Sequence, residues 1–466
     1  MPAQTQTAAA PKEWGTWWPW LVGVFFGFVL IKLGNPVILD HVSPPPKDLA
    51  EAVQESWPAT WGYGVLALVV TLGLFHGRRL ARVPRWVLTL PLVWLGWQLV
   101  AATSTVDRGL TAAVLPHFAA TVLCFGLGLS VGSTRTPWFT WVGVVAGLLI
   151  VLGTGFRQQY GGLTANQEFF EQNEKTGWKD VPEEHLRELL ATKLLLRRPD
   201  GGLVANPDLL AKLAKRRIFG TLVYPNALAG VVLLLLPGAL GAVWMLTARW
   251  RNIARGVSLG LLVYMGLACL YWSGSKAGWL IAVLVAGVAF WHAPWPKYLR
   301  VGGVLILSLV GLVAFGWKYQ SYFAGGARSA SARVDYWKVA GSTAVSHPIL
   351  GSGPGTFYFV YRQAKPPEAE MARLAHNDYL QQAADSGLVG FFGLTGFILG
   401  SLGVLYRITA PSWSVFTVWL GLLGWSALEF VEFGLYIPAL AWTAFFVFGW
   451  LHSVARNEFD SDLRRT

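Results

Sequence analysis

The residues able to do chemistry gather between two apolar runs, in a polar stretch from about Trp317 to Gly387. It opens on Arg333-Val-Asp335-Tyr-Trp337 and closes on His376-Asn377-Asp378-Tyr379-Leu380-Gln381-Gln382, directly before the chain turns apolar again. A neutral imidazole at such a mouth suits general-base work or the orienting of an acceptor hydroxyl. Other polar residues stand at other mouths: Arg217 with Asn226, and Ser273-Gly-Ser275-Lys276. A guanidinium offers a planar fork of donors and an ammonium a point charge, so cations placed this way suit a diphosphate. Each residue also has an ordinary alternative. A lone basic side chain at a membrane boundary commonly snorkels to headgroups, and a single histidine is more often a satisfied structural side chain.

Metal and nucleotide chemistry find less support. The remaining histidines, His41, His76, His117, His185, His292, His347 and His452, are scattered, with no Cys or His at ligand spacing, and no metal or other cofactor is expected. Asp460-Ser-Asp462 reads as solvated tail. Gly351-Ser-Gly-Pro-Gly355 resembles a phosphate loop only superficially: it lacks the closing Gly-Lys-Ser/Thr and has Pro where a backbone donor is needed, so it reads as a tight turn.

The elements that must position these residues follow from composition. With 54% hydrophobic and 13% charged residues in 466, the chain is too apolar for a soluble domain, and an all-α polytopic membrane protein is expected. The formal charge of +12 comes from basic residues spread between spans, which reports orientation and lipid headgroups rather than nucleic acid. Cys124 and Cys269 lie in apolar runs and offer no disulfide framework. Twelve spans are predicted, at about 17–39, 59–75, 86–102, 110–131, 138–156, 221–247, 256–272, 277–293, 300–317, 389–406, 413–429 and 437–453. The run from Trp17 lacks a cleavage pattern and reads as a span rather than a signal peptide.

Alternate connections differ in basic residues. Arg78, Arg79, Arg82 and Arg85, then Arg135, then Arg249, Arg251 and Arg255, then Lys297 and Arg300, then Arg407, and finally Arg456, Arg464 and Arg465 fall on one side. The short connections of the other side hold Lys32, Lys47, Arg108 and Lys276. By the positive-inside rule both termini are cytoplasmic, and the long loops, about 157–220 and 318–388, face outward. A disordered start (1–16), one integral domain (17–453) and a cytoplasmic tail (454–466) complete the expected organisation. In the first loop, Asp180 with Pro182, and Asn206-Pro207, signal two short amphipathic helices that lie on the outer leaflet, roof a cavity or pack on the bundle.

The late motifs carry a family resemblance. His376-Asn-Asp-Tyr-Leu-Gln-Gln382 followed by Asp385-Ser-Gly-Leu-Val-Gly390 resembles the signature that closes the large periplasmic loop of the O-antigen ligase and O-antigen polymerase family. Pro348-Ile-Leu-Gly-Ser-Gly-Pro-Gly-Thr-Phe357, Arg333 followed by Trp337, Tyr224-Pro-Asn-Ala-Leu-Ala229 and Glu432-Phe-Gly-Leu-Tyr-Ile-Pro438 are similar to further family segments, so that the likeness covers roughly residues 217–453. It implies a GT-C-like, metal-independent glycosyltransferase of the bacterial cytoplasmic membrane, with its active site facing the periplasm. Such an enzyme moves a glycan from an undecaprenyl-diphosphate carrier to an acceptor, with inversion.

The partners implied are a lipid-linked oligosaccharide donor, a glycan or lipid A-core acceptor and membrane lipids, without nucleic acid. Arg333 and Lys276 are the implied diphosphate contacts and His376 the residue near the acceptor, while Arg217, Asn226, Ser275, Asn377 and Tyr379 are the implied substrate-binding set. Two positions depart from the family pattern: Lys276 replaces an Arg, keeping charge without the fork, and Glu432 replaces an Asp. Repeat-unit polymerisation or protein O-glycosylation would use the same motifs. A transporter would place ionisable residues near span midpoints, whereas Asp107, Arg108, Lys276, Glu429 and Glu432 lie near helix ends.

Overall fold

A chain this apolar must satisfy its backbone polar groups within each segment, and α-helices do so. The computed structural model describes residues 17–42, 45–75, 83–191, 194–198 and 200–463. The expectations for residues 1–16, His76, Arg78, Arg79, Arg82, Arg464 and Arg465 lie outside the described residues. In chain order the α-helices are α1 (Trp17–Lys32), α2 (Leu49–Gln54), α3 (Ala59–Phe75), α4 (Arg85–Ala101), α5 (Arg108–Gly132) and α6 (Thr140–Arg157). There follow α7 (Leu163–Thr176), α8 (Glu183–Ala191), α9 (Pro207–Ala214), α10 (Pro225–Leu246), α11 (Asn252–Ser273) and α12 (Lys276–His292). The last six are α13 (Lys297–Ala324), α14 (Arg328–Ser346), α15 (Phe357–Ala364), α16 (Asp378–Thr409), α17 (Trp413–Leu428) and α18 (Pro438–Leu463). One antiparallel pair, β1 (Leu195–Arg197) and β2 (Leu203–Ala205), interrupts the first long loop.

Among the described residues, eight helices are long and apolar enough to cross a membrane, and α1, α3, α12 and α17 are shorter apolar ones. Together they occupy the twelve predicted spans. Small residues set the closest crossings. A Cβ on Gly23 of α1 would stand 2.3 Å from Thr140 O, and one on Gly128 of α5 would stand 2.1 Å from Phe446 O of α18. Backbones touch at such points, and van der Waals contact then substitutes for the hydrophobic drive that lipid does not supply. α18 is buried throughout its apolar span and forms the centre of the bundle, whereas α13 is almost bare and lies at its edge.

Three details go beyond the expected organisation. α6 does not end in a loop: a π turn at Gln158–Gly162, with Gly161 at φ 159°, carries it directly into α7, a helix whose polar sequence gave no span or cap signal. A hairpin joins the two helices that were expected in this loop. The backbone of the C-terminal segment, read as a tail from 454, continues α18 to Leu463.

The second long loop is itself helical and docks on α16. Tyr336 and Ala340 of α14, Phe357 and Tyr361 of α15, and Ala375 and Ala384 beside them form a small core. The Gly351–Gly355 segment is a turn whose backbone donors are already engaged: Ser352 N donates to Ala384 O, Gly353 N to Asp385 O, and Gly355 N to the Asp385 carboxylate. It meets α16 where that helix kinks at Gly387 (φ 68°, ψ −171°), a conformation only glycine adopts readily. A Cβ there would meet Ile349 O at 2.2 Å.

Candidate active site

The N-terminus of α16 fixes the histidine. The Asn377 side chain caps the helix by accepting from Leu380 N at 2.9 Å, and His376, just before it, sits at φ 51°. Left-handed backbone in a residue with a Cβ is sparsely populated, and such strain concentrates where a side chain must be aimed. Trp337 of α14 donates to His376 O, and the imidazole is walled by three rings: Tyr336 stacked at 5.8 Å, Phe433 edge-on at 4.8 Å and Tyr224 edge-on at 6.3 Å. Burial pushes the Tyr336 hydroxyl up to about 12 and raises that of Tyr224, so these walls stay uncharged.

Beneath the histidine, a pair of carboxyl groups ties two segments together. Asp378 N donates to Glu429 O, Leu435 N donates to Asp378 Oδ2, and Gly434 N donates to Glu429 Oε2. The two buried carboxyl groups lie close together, with Asp378 Oδ1 and Glu429 Oε1 each without a hydrogen-bond partner. The bonds from Asp378 N, Leu435 N and Gly434 N hold the 429–435 turn against the start of α16, and Glu432 rides on that turn.

Glu432 is the hub. Its Oε1 accepts from Arg333 Nη2 at 2.5 Å and from Asn226 Nδ2 at 2.6 Å, while its Oε2 lies 3.5 Å from His376 Nδ1. Asn226, in the first turn of α10, in turn accepts from Arg217 Nη2 at 2.6 Å, and Arg217 Nε donates to Ser273 O at 2.7 Å. Lys276 opens α12 next to that carbonyl, with its Nζ 3.9 Å from the centre of the Tyr322 ring and within electrostatic reach of Arg217, Arg333 and Lys215. Of the cluster's cations, Arg333 pairs with the Glu432 carboxylate, Arg217 is linked to it through Asn226, and Lys276 lies within electrostatic reach of both arginines. Arg333 Nε and His376 Nδ1 are buried polar atoms without a hydrogen-bond partner, which in a satisfied interior is rare.

Residues 260–395 match the family described as O-antigen ligase. Over that segment the chain is similar to this family. No curated protein matches the chain. The family is one of glycosyltransferase-type enzymes resembling O-antigen ligases and polymerases, and its substrates are lipid-linked glycans in a membrane setting. Lys276, Arg333 and His376 all fall within the ligase-family segment, whereas Arg217, Asn226 and Glu432 reach the same cluster from outside it.

The cluster therefore gathers five of the eight residues singled out from sequence. The other three hold the fold. Ser275 caps α12 by accepting from Gly278 N, and Asn377 caps α16, because a side-chain oxygen one residue before a helix satisfies an otherwise orphaned first-turn N–H. Tyr379 is buried, with its hydroxyl donating to Ser426 O at the end of α17. Sequence reasoning noted Glu432 as a motif departure but not as the hub. Its signal was there: a carboxylate three residues after Glu429, in the short connection between two strongly apolar spans.

Proposed function

We propose that this protein transfers a glycan from a polyprenyl-diphosphate carrier, of the undecaprenyl type, to an acceptor hydroxyl on the outer face of the bacterial cytoplasmic membrane. The observation that carries the reading is the charge of the cluster: Lys276 lies within electrostatic reach of Arg217 and Arg333, and among these three the ion pair made is that of Arg333 with Glu432, which leaves an excess of positive charge beside one histidine. That excess suits a diphosphate, whose charge grows as the bond from the anomeric carbon to phosphate oxygen breaks. Arg333, with its Nε–H unpartnered, and Lys276 stabilise the departing diphosphate; Arg217 is fixed by Asn226 and Ser273 and supplies field rather than a mobile contact.

His376 takes the proton of the acceptor hydroxyl on Nε2 while Glu432, near Nδ1, orients the ring. The hydroxyl oxygen attacks the anomeric carbon from the face opposite the diphosphate, and inversion follows from that geometry. No metal is required in this scheme, because fixed cations do the work of charge stabilisation. The test is binding of a synthetic polyprenyl-diphosphate oligosaccharide to purified protein, compared with the matching monophosphate. Preference for the diphosphate, lost together in Arg333→Ala and Lys276→Gln, supports the reading. Equal binding of both lipids to wild type and variants would end it.

A further inference from the structure

A cavity of ≈ 700 Å³ opens between the last turns of α1 and α6, at the end of the bundle that holds His376. The two helices touch lower down, where Gly23 meets Gly143 and Gly27 meets Gly147. Above this contact the floor of the cavity is apolar, with Ile31 on one helix and Ile150 and Gly153 on the other. A Cβ at Gly153 would meet nothing within 4 Å, so the space beside it is open.

The rim is cationic. Lys32 is buried and donates to Val53 O and Glu55 O, which holds the residues after α1 over the cavity. Arg157 stands opposite, exposed, and no hydrogen bond or ion pair engages its guanidinium among the described residues. Glu55 is the one acidic residue on the rim. An apolar floor under a cationic rim, of a volume ordinary for ligand sites, matches an amphiphile that carries a phosphate.

The third wall connects this cavity to the histidine cluster. Residues 219–223 line it, and they are the crest of the loop that begins at Arg217 and returns at Tyr224 and Asn226. Gln158, next to Arg157, clasps that crest through three bonds: its Oε1 accepts from Phe219 N and Gly220 N, and its Nε2 donates to Gly220 O. Whatever fills the cavity presses on a segment whose two ends deliver cluster residues.

We propose that this cavity binds the phosphate headgroup of an amphiphile at Arg157, with its chain running past Gly153 between α1 and α6, and that occupation steadies the 217–226 loop. Two sources share this chemistry, a resident anionic phospholipid and a polyprenyl phosphate. Delipidated full-length protein would be titrated with phosphatidylglycerol, a short polyprenyl phosphate and inorganic phosphate, with native mass spectrometry counting bound lipid and hydrogen exchange following residues 218–223. One lipid is expected to bind and to slow exchange there, and the lipid that does so names the source. Arg157→Ala should bind it about tenfold more weakly, as loss of a charge-assisted contact implies.

Gly153→Leu, which fills the floor, should exclude the lipid while sparing inorganic phosphate, and it serves as the independent variant if Arg157→Ala fails to fold. Arg362→Ala, on an exposed turn of α15, is the control and should change nothing. Equal lipid binding by wild type and by either the Arg157 or the Gly153 variant would overturn the proposal. So would unchanged exchange at 218–223 on saturation, or inorganic phosphate binding as tightly as the lipids.

Discussion

The two long loops differ in what they are fastened to. The first makes a core of its own: Phe170, Trp178, Leu189, Leu195 and Ala205 pack together, and backbone bonds tie its middle to itself, as from Leu194 N to Leu189 O and from Asn206 N to Leu194 O. The second lends its core to the bundle, sharing Ala384 with α16 and crossing to that helix through Ser352 N, Gly353 N and the bond from Leu388 N to Pro348 O. Only the second holds the backbone of a reactive residue to a fixed frame. The first contributes through its ends, Gln158 and Arg217, and its middle is free to vary. Polar loops of similar length thus divide into a self-contained cap and a positioned site, and the bonds that leave the loop tell them apart.

The largest expected effect sits where the positioned site is tied down. Glu429→Ala removes the carboxyl that accepts from Gly434 N and leaves that buried donor unpaired, at about 1–3 kcal/mol of stability. Glu429 lies just beyond α17, where burial first and the Asp378 carboxyl second raise its affinity for a proton. A carboxyl raised in the fold contributes stability that is complete at acid pH and is lost as pH rises through the folded value. Thermal unfolding of wild type should therefore weaken on the alkaline side, and Glu429→Gln, which keeps a hydrogen bond without titrating, should flatten that limb. An alkaline limb unchanged in the Gln variant would separate the pair from stability.

A smaller effect on the molecule, though large within its own loop, is expected for Trp178→Ala. The indole is buried at φ 65° in the first loop's core, and its loss should cost that core about 3 kcal/mol and open residues 163–214 to proteolysis. Glycan transfer should change by less than about threefold. A loss of transfer as deep as that of a cluster variant would erase the distinction between the loops.

How much of this could be read from sequence depends on the range of the signal. The spans were legible because the bilayer demands about twenty apolar residues, a local property of the chain. α7 was not: its sequence is polar apart from Leu163, Ala165, Phe169 and Phe170, and the preceding Gly161-Gly162 reads as a break. His376 and Arg333 were legible as motif residues. The role of Glu432 was not, since it arises only when positions 226, 333, 376 and 432 meet, and no spacing rule reports that. Ser275 and Asn377 were open to a cap reading, each standing one residue before a helix, yet their neighbours drew them into the substrate set.

The smallest effect concerns the departure at Lys276. Lys276→Arg should retain transfer, since a fork replaces a point charge. Lys276→Gln should lose about tenfold or more, the worth of a charge-assisted hydrogen bond being about 1.5–3 kcal/mol. Full activity in the Gln variant would make this residue a partner of Tyr322 and nothing more.

The division of labour between His376 and Arg333 is the central claim, and one measurement addresses it directly: donor binding and single-turnover transfer by His376→Ala and Arg333→Ala across a pH series. His376→Ala should bind the lipid-diphosphate donor like wild type while transfer falls by about 10²–10⁴-fold, the usual worth of general-base catalysis. Arg333→Ala should lose donor binding and transfer together. A folded His376 variant that no longer binds the donor would move the histidine to the diphosphate and contradict the account.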